Sequence, residues 1–189
     1  MAAVNARGKL AVAALAVALA AVTAGVSESA VAGCDGFPVT PSQIGGTHFR
    51  ASPLRHSVLE AGLAGTRIRL EGVVLTSACK PIAGSRLDFW QADRKGAYDD
   101  QGTRLRSHQF TDAVGRYWLQ TIVPGPYANR APHLHVTVHA RAKRPVTTML
   151  YFPGEHLNAQ DPFFDRRLLV RLRLVDHRFV AHFDFVLSR

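Results

Sequence analysis

Cysteine is scarce in this chain: only Cys34 and Cys79 occur among 189 residues. Two thiols exclude a disulfide-dense miniature scaffold and a four-cysteine zinc site. Acidic residues are outnumbered, 14 against 23 Lys and Arg, for a formal net charge of +9. That excess invites a nucleic-acid reading, yet there is no basic run of five residues and no nucleic-acid-binding motif. The basic residues recur singly, as in Arg171 and Arg173, in the manner of a solvated sheet face. Internal repeats and low-complexity tracts are also missing. With 20% charged and 47% hydrophobic residues, neither intrinsic disorder nor a coiled coil fits. One domain around one core is the expectation for this length.

Long apolar runs are lacking too. The one uncharged run, Leu10–Val26, has 17 residues and is rich in Ala, short of the ~20 a spanning helix needs. Arg7 and Lys9 precede it, and small residues including Ala30-Val31-Ala32 follow. A basic start, a short apolar stretch and an A-x-A site predict a secretory signal peptide over residues 1–32. The protein is therefore expected to be secreted or held at the cell surface. Loss of Arg7, Lys9 and Glu28 with the leader leaves a charge of +8. Val31-Ala32-Gly33-Cys34 also matches a bacterial lipobox, which would place a lipid anchor on Cys34. Polar Ser27, Glu28 and Ser29 before the box favour a disulfide between Cys34 and Cys79 instead. Closing that loop would contribute about 4 kcal/mol on the chain-entropy account.

Segment 33–66, rich in Gly, Pro, Ser and Thr, reads as an irregular arm. Residues 67–189 read as an all-β domain with a β-sandwich core. Strands are expected at Arg67–Leu75, Ser85–Gln91, Tyr117–Ile122, His133–His139, Thr147–Phe152, Leu168–Val175 and Phe179–Leu187. Asp176-His177-Arg178 predicts a hairpin turn between the last two. Phe179, Ala181, Phe183, Phe185 and Leu187 should share one face. Asp161-Pro162 suits a helix start, so one short helix is expected near 161–167.

The sharpest local feature is Pro132-His133-Leu134-His135-Val136-Thr137-Val138. Strand residues two apart share a face, so both imidazoles aim at one point while Leu134, Val136 and Val138 enter the core. Paired strand histidines suit a metal, and of nine histidines only these two stand out. No Glu follows them as in a cupin. Asp99, Asp100 and Asp112 lie in turn contexts, so a Zn2+ or Fe2+ site completed by a carboxylate is a weaker reading. Tyr98 and Tyr127 end Lys95-Gly96-Ala97-Tyr98 and Pro124-Gly125-Pro126-Tyr127, where strands run into loops.

Together these segments resemble the intradiol ring-cleavage dioxygenases, the family of protocatechuate 3,4-dioxygenase and catechol 1,2-dioxygenase, and especially its exported single-domain members. The likeness runs in register through Thr40-Pro41-Ser42-Gln43, Cys79-Lys80-Pro81-Ile82-Ala83-Gly84 and Phe89-Trp90-Gln91-Ala92-Asp93. It continues through Gln109-Phe110-Thr111-Asp112, Thr121 to Tyr127, Arg130 to His135 and Leu150-Tyr151-Phe152-Pro153-Gly154-Glu155. The resemblance implies a β-sandwich holding mononuclear non-haem Fe(III) on Tyr98, Tyr127, His133 and His135. It implies a catechol-type substrate cleaved with O2 between its hydroxyls, giving cis,cis-muconate-type diacids. Tyr127 would be the displaceable ligand that receives a catechol proton, and Arg130 would stabilise negative charge on the ring. Trp90 and Tyr151 read as core or pocket wall. The chain departs from the family at Met149, where many members carry Gln. A catalytically inactive exported β-sandwich that binds a metal or carbohydrate is the alternative. No nucleic-acid partner is expected.

Overall fold

The structure, a computed structural model, describes residues 38–50, 57 and 62–188. The expected leader and Cys34 lie outside the described residues, whereas Cys79 is disulfide-bonded. Among the described residues, nine strands make two sheets: β1 (Arg67–Thr76), β2 (Arg86–Gln91), β3 (Arg106–Phe110), β4 (Arg116–Ile122), β5 (His133–His139), β6 (Val146–Tyr151), β7 (Arg171–Val175), β8 (Arg178–His182) and β9 (Phe185–Leu187). One sheet runs β4-β1-β8-β7, with β9 also pairing β1, and the other runs β3-β2-β5-β6. The expected β-sandwich is the observed architecture.

Period-two patterning builds the layers. On β1, Ile68 and Leu70 are buried while Arg67 is exposed and Arg69 half-buried. On β5, Leu134, Val136 and Val138 enter the core with Leu87, Leu119 and Phe185, all at most 1% exposed. His133, His135 and Thr137 therefore lie on the opposite face of their sheet, yet are also buried. Part of their cover comes from the arm, whose described residues are irregular but pinned. Thr40 N–H donates to Val186 O at 2.9 Å, and Gln43 N–H donates to Thr147 O at 2.6 Å. The arm thus blunts two sheet edges and reaches the histidine face.

Three expectations are corrected. First, Arg106–Phe110 is a strand that hydrophobic patterning misses, because its buried residues include Arg106, Ser107 and Gln109. Second, Phe179–Leu187 is not continuous. β1 pairs in parallel with β8 through Ile68↔Phe179 and with β9 through Val74↔Phe185. Between these pairings the Asp184 carboxylate accepts Val73 N–H at 2.9 Å in place of a ladder bond. Gly72 permits the crossing, since a Cβ there would lie 1.8 Å from Phe183 O. Phe179, at 38% exposure, leaves the buried face that Ala181, Phe183, Phe185 and Leu187 keep. Third, no α-helix occupies 161–167. Two short 3₁₀ turns, His156–Gln160 and Arg166–Leu168, flank Asp161 and Pro162. The Asp161 carboxylate accepts Phe163 N–H at 2.9 Å but also Ala131 N–H at 3.0 Å, so it serves tertiary structure rather than a helix start. The expected hairpin turn is present, with Asp176 at φ 46° and His177 at φ 60° between β7 and β8.

Candidate metal centre

β5 delivers His133 and His135 to one point: their Nε2 atoms are 3.1 Å apart. Both side chains are 4% exposed, and burial lowers both pKa values, that of His135 strongly, so each imidazole is held neutral. His133 Nδ1 lies 2.6 Å from Ala131 O, which assigns the proton to Nδ1 and leaves the Nε2 lone pair facing inward. The His135 ring stacks on Trp90 with centroids 4.8 Å apart and planes 6° from parallel. Its Nδ1 is buried without a hydrogen-bond partner among the described residues.

The tyrosines come from two loops that touch backbone to backbone. Gly125 N–H donates to Asp93 O at 2.8 Å, and Asp93 N–H donates to Ala97 O at 2.9 Å. A Cβ on Gly96, which has φ 82°, would sit 2.0 Å from Pro126 O, and one on Gly125 would sit 2.4 Å from Arg94 O. Glycine at both positions lets the loops close until the Tyr98 and Tyr127 rings stand 5.2 Å apart at 88°. Tyr98 Oη lies 3.5 Å from His133 Nε2. Burial pushes the Tyr98 phenol well above its usual range, against the lowering pull of Arg130, so without a cation it stays protonated.

Among the described residues no three His, Cys, Asp or Glu side chains are grouped to hold a metal. The carboxylate-completed site therefore lacks its carboxylate. Asp99 accepts Gly102 N–H at 2.8 Å and Arg104 N–H at 3.0 Å, and Asp112 accepts Val114 N–H at 3.0 Å, as turn residues do. The donors that do converge are two imidazole nitrogens and a phenol oxygen, with a second phenol beside them. Their lone pairs outnumber the available protons, and hard oxygen with imidazole suits a ferric ion.

Arg130 approaches this group along a tight turn. Its N–H donates to Tyr127 O at 2.7 Å, across Ala128 at φ 45° and Asn129 at φ 64°. Its guanidinium is aimed by the fully buried Asp161 carboxylate at 2.8 Å, by Tyr151 Oη at 3.0 Å and by Met149 Sδ at 3.2 Å. Burial opposes the charge on Arg130, but the Asp161 hydrogen bond and charge outweigh it and raise its pKa. Tyr151, pushed up by burial to about 12, remains a neutral partner. Met149 thus packs against Arg130 and pairs with His135 across β5 and β6.

Sequence reasoning missed His48 and misread Asp100. His48 Nε2 lies 2.9 Å from Tyr127 Oη, and its Nδ1 lies 2.9 Å from the Asp100 carboxylate. The imidazole stacks on Tyr98 at 4.1 Å and 1°. Arg106, buried in the unpredicted strand, donates to His48 O at 2.6 Å and to Asp99 O at 3.1 Å. A lone histidine in an irregular arm carries no motif, and Asp100 looks like any turn aspartate until the arm is folded over it. His48→Ala should weaken metal affinity at this centre about 10- to 100-fold, the usual cost of losing a group that orients a ligand. Metal titration of the folded variant checks this; wild-type affinity would remove His48 from the site.

Known proteins bear on this arrangement. A family model described as "Dioxygenase" matches residues 41–188. Over 119 residues the chain is 37% identical to the protocatechuate 3,4-dioxygenase beta chain of Burkholderia cepacia, covering 53% of this chain and 50% of that one. Over another 119 it is 33% identical to hydroxyquinol 1,2-dioxygenase of Rhodococcus opacus, covering 51% and 40%. The chain belongs to the intradiol dioxygenase family. It spans about half the length of the curated family members it matches. The dioxygenase domain of a dioxygenase–carbohydrate-binding protein fusion from Streptomyces sp. SirexAA-E superposes with a TM-score of 0.77 at 43% identity. That match covers 80% of this intradiol dioxygenase family member and 99% of the Streptomyces chain. For 3-chlorocatechol 1,2-dioxygenase of Rhodococcus opacus 1CP the TM-score is 0.74 at 25% identity, covering 82% and 75%.

Proposed function

We propose that this chain is an exported intradiol dioxygenase that cleaves catechol-type rings between their two hydroxyls. The observation that carries the reading is the convergence of His133 Nε2, His135 Nε2 and Tyr98 Oη beside Tyr127. These four residues would hold one non-haem Fe(III). Bound there, the ion would favour the tyrosinate forms and supply the redox and Lewis-acid chemistry that makes a catechol reactive towards O2.

The chain's own groups have separable tasks. As the tyrosinate, Tyr127 Oη, hydrogen-bonded to His48, would receive one catechol proton when the substrate binds and so become the neutral phenol. Arg130, braced by Asp161, offers positive charge to negative charge developing on the ring. Trp90 backs His135 and His48 stacks on Tyr98, so the rings of the donors are held in place. The overall change adds both atoms of O2 to the ring and breaks the carbon–carbon bond between the hydroxylated carbons. A cis,cis-muconate-type diacid results.

Export rests on the leader-like residues 1–32 and suits the disulfide at Cys79. The decisive assay presents catechol, protocatechuate and hydroxyquinol to the iron-loaded protein while O2 and ring-opened acid are measured. One-to-one uptake of O2 with at least one of them is expected. Failure with all three would leave a metal-binding sandwich without this activity.

A further inference from the structure

The arginines that are scattered along the sequence converge on one surface of the fold. On the outer face of the β4-β1-β8-β7 sheet, alternate positions carry Arg116 on β4, Arg67 and Arg69 on β1, Arg178 on β8, and Arg171 and Arg173 on β7. The register sets Arg69 beside Val180 and Val180 beside Arg173. Two strand spacings, roughly 10 Å, then separate Arg69 from Arg173. Arg67, Arg116, Arg173 and Arg178 have no acidic partner among the described residues, whereas Arg69 pairs with Glu71 at 2.7 Å and Arg171 with Asp184 at 3.3 Å.

The face is also hollowed. A groove of about 430 Å³ is lined by Arg67, Arg69, Gln120, His177, Arg178 and Phe179, with no acid in its walls. A second hollow of about 510 Å³ is lined by Trp118, Arg116 and two acids, Glu71 and Asp112, and the two hollows share Arg69. Arg69 lies 4.6 Å over the Trp118 ring, which is 38% exposed. The trough follows β1 from Arg67 to Val73, a run of about 20 Å. Its length calls for a chain rather than a small anion.

We propose that this trough binds a carboxylated polysaccharide, a polyuronate. Guanidinium forks at Arg67 and Arg178 in the groove match sugar carboxylates. Trp118 and Phe179 offer flat apolar surface to pyranose faces. Glu71, in the second hollow, accepts hydrogen bonds from hydroxyls that every sugar unit of a polyuronate carries and a DNA backbone lacks. That acid disfavours evenly spaced phosphates, so nucleic acid is the poorer fit. None of these residues belongs to the His–Tyr centre, so the proposal stands or falls apart from the proposed reaction.

The test measures binding of the purified protein to polygalacturonate at 100 mM salt. Neutral dextran, single-stranded DNA and anionic phospholipid vesicles serve as comparators. Polygalacturonate is expected to bind most tightly. The Arg67→Gln/Arg178→Gln double variant should bind about tenfold more weakly, as loss of two exposed ion pairs predicts. Circular dichroism and a melting temperature unchanged from wild type establish that the variant is folded, and Arg67→Lys/Arg178→Lys should recover only the part of the affinity that depends on charge and not on the fork. No binding, wild-type affinity in the Gln variant, or equal affinity for DNA or vesicles overturns the proposal.

Discussion

Iron-loaded Tyr98→Phe protein is expected to lose its visible tyrosinate-to-iron absorption in large part and its ring-cleaving turnover by more than 100-fold. The substitution removes one oxygen and keeps the ring that stacks on His48 at 4.1 Å, so packing is little disturbed. The lost atom is the phenol oxygen 3.5 Å from His133 Nε2, a direct donor to the proposed ion. Removing a group that only orients a ligand costs about 10- to 100-fold in affinity or activity, and removing the ligand itself should exceed that. Visible spectroscopy on protein of known iron content, followed by O2 uptake with the best substrate, makes the measurement. Unchanged colour and turnover in Tyr98→Phe would refute the ligand assignment. The metal-free variant should melt near wild type, which separates this chemical loss from misfolding.

The largest expected effect on stability falls at Asp161. Its side chain is 0% exposed and faces Arg130, itself 17% exposed, at 2.8 Å. It also satisfies the backbone N–H groups of Ala131 and Phe163. Asp161→Ala strands a largely buried guanidinium and two amides, so a cost of about 3–5 kcal/mol is expected. For a chain of this size that lowers Tm by roughly 10 °C. Asp161→Asn should recover part of the loss, because its carbonyl still accepts hydrogen bonds although the charge is gone. In the Asn variant kcat should fall more than KM rises, since Arg130 is no longer firmly aimed while the metal donors are untouched. Calorimetry and kinetics on the two variants check both statements. A wild-type Tm for Asp161→Ala would mean that Arg130 finds another partner at little cost.

Legibility in the sequence followed the range of the interaction. His133 and His135 were readable because two residues on one strand must share a face, whatever surrounds them. β3 was not readable, because Arg106, Ser107 and Gln109 fill inward places with polar groups whose partners lie elsewhere in the chain. Asp161-Pro162 carried a local helix signal that was overridden once its carboxylate met Arg130, 31 residues away. The break at Phe183 and Asp184 depends on Gly72, more than a hundred positions earlier.

The sequence by itself determined the all-β layering, the paired histidines, the two loop tyrosines and the family to which they belong. These follow from strand alternation and from motifs a few residues long. Only the tertiary structure decided that His48, reached through the arm, lies 2.9 Å from Tyr127 with Asp100 behind it. It alone decided that arginines scattered from Arg67 to Arg178 form one surface. Residue spacing sets which face of its own strand a side chain takes. Strand order and register decide which other strands join that face, and distant contacts set both.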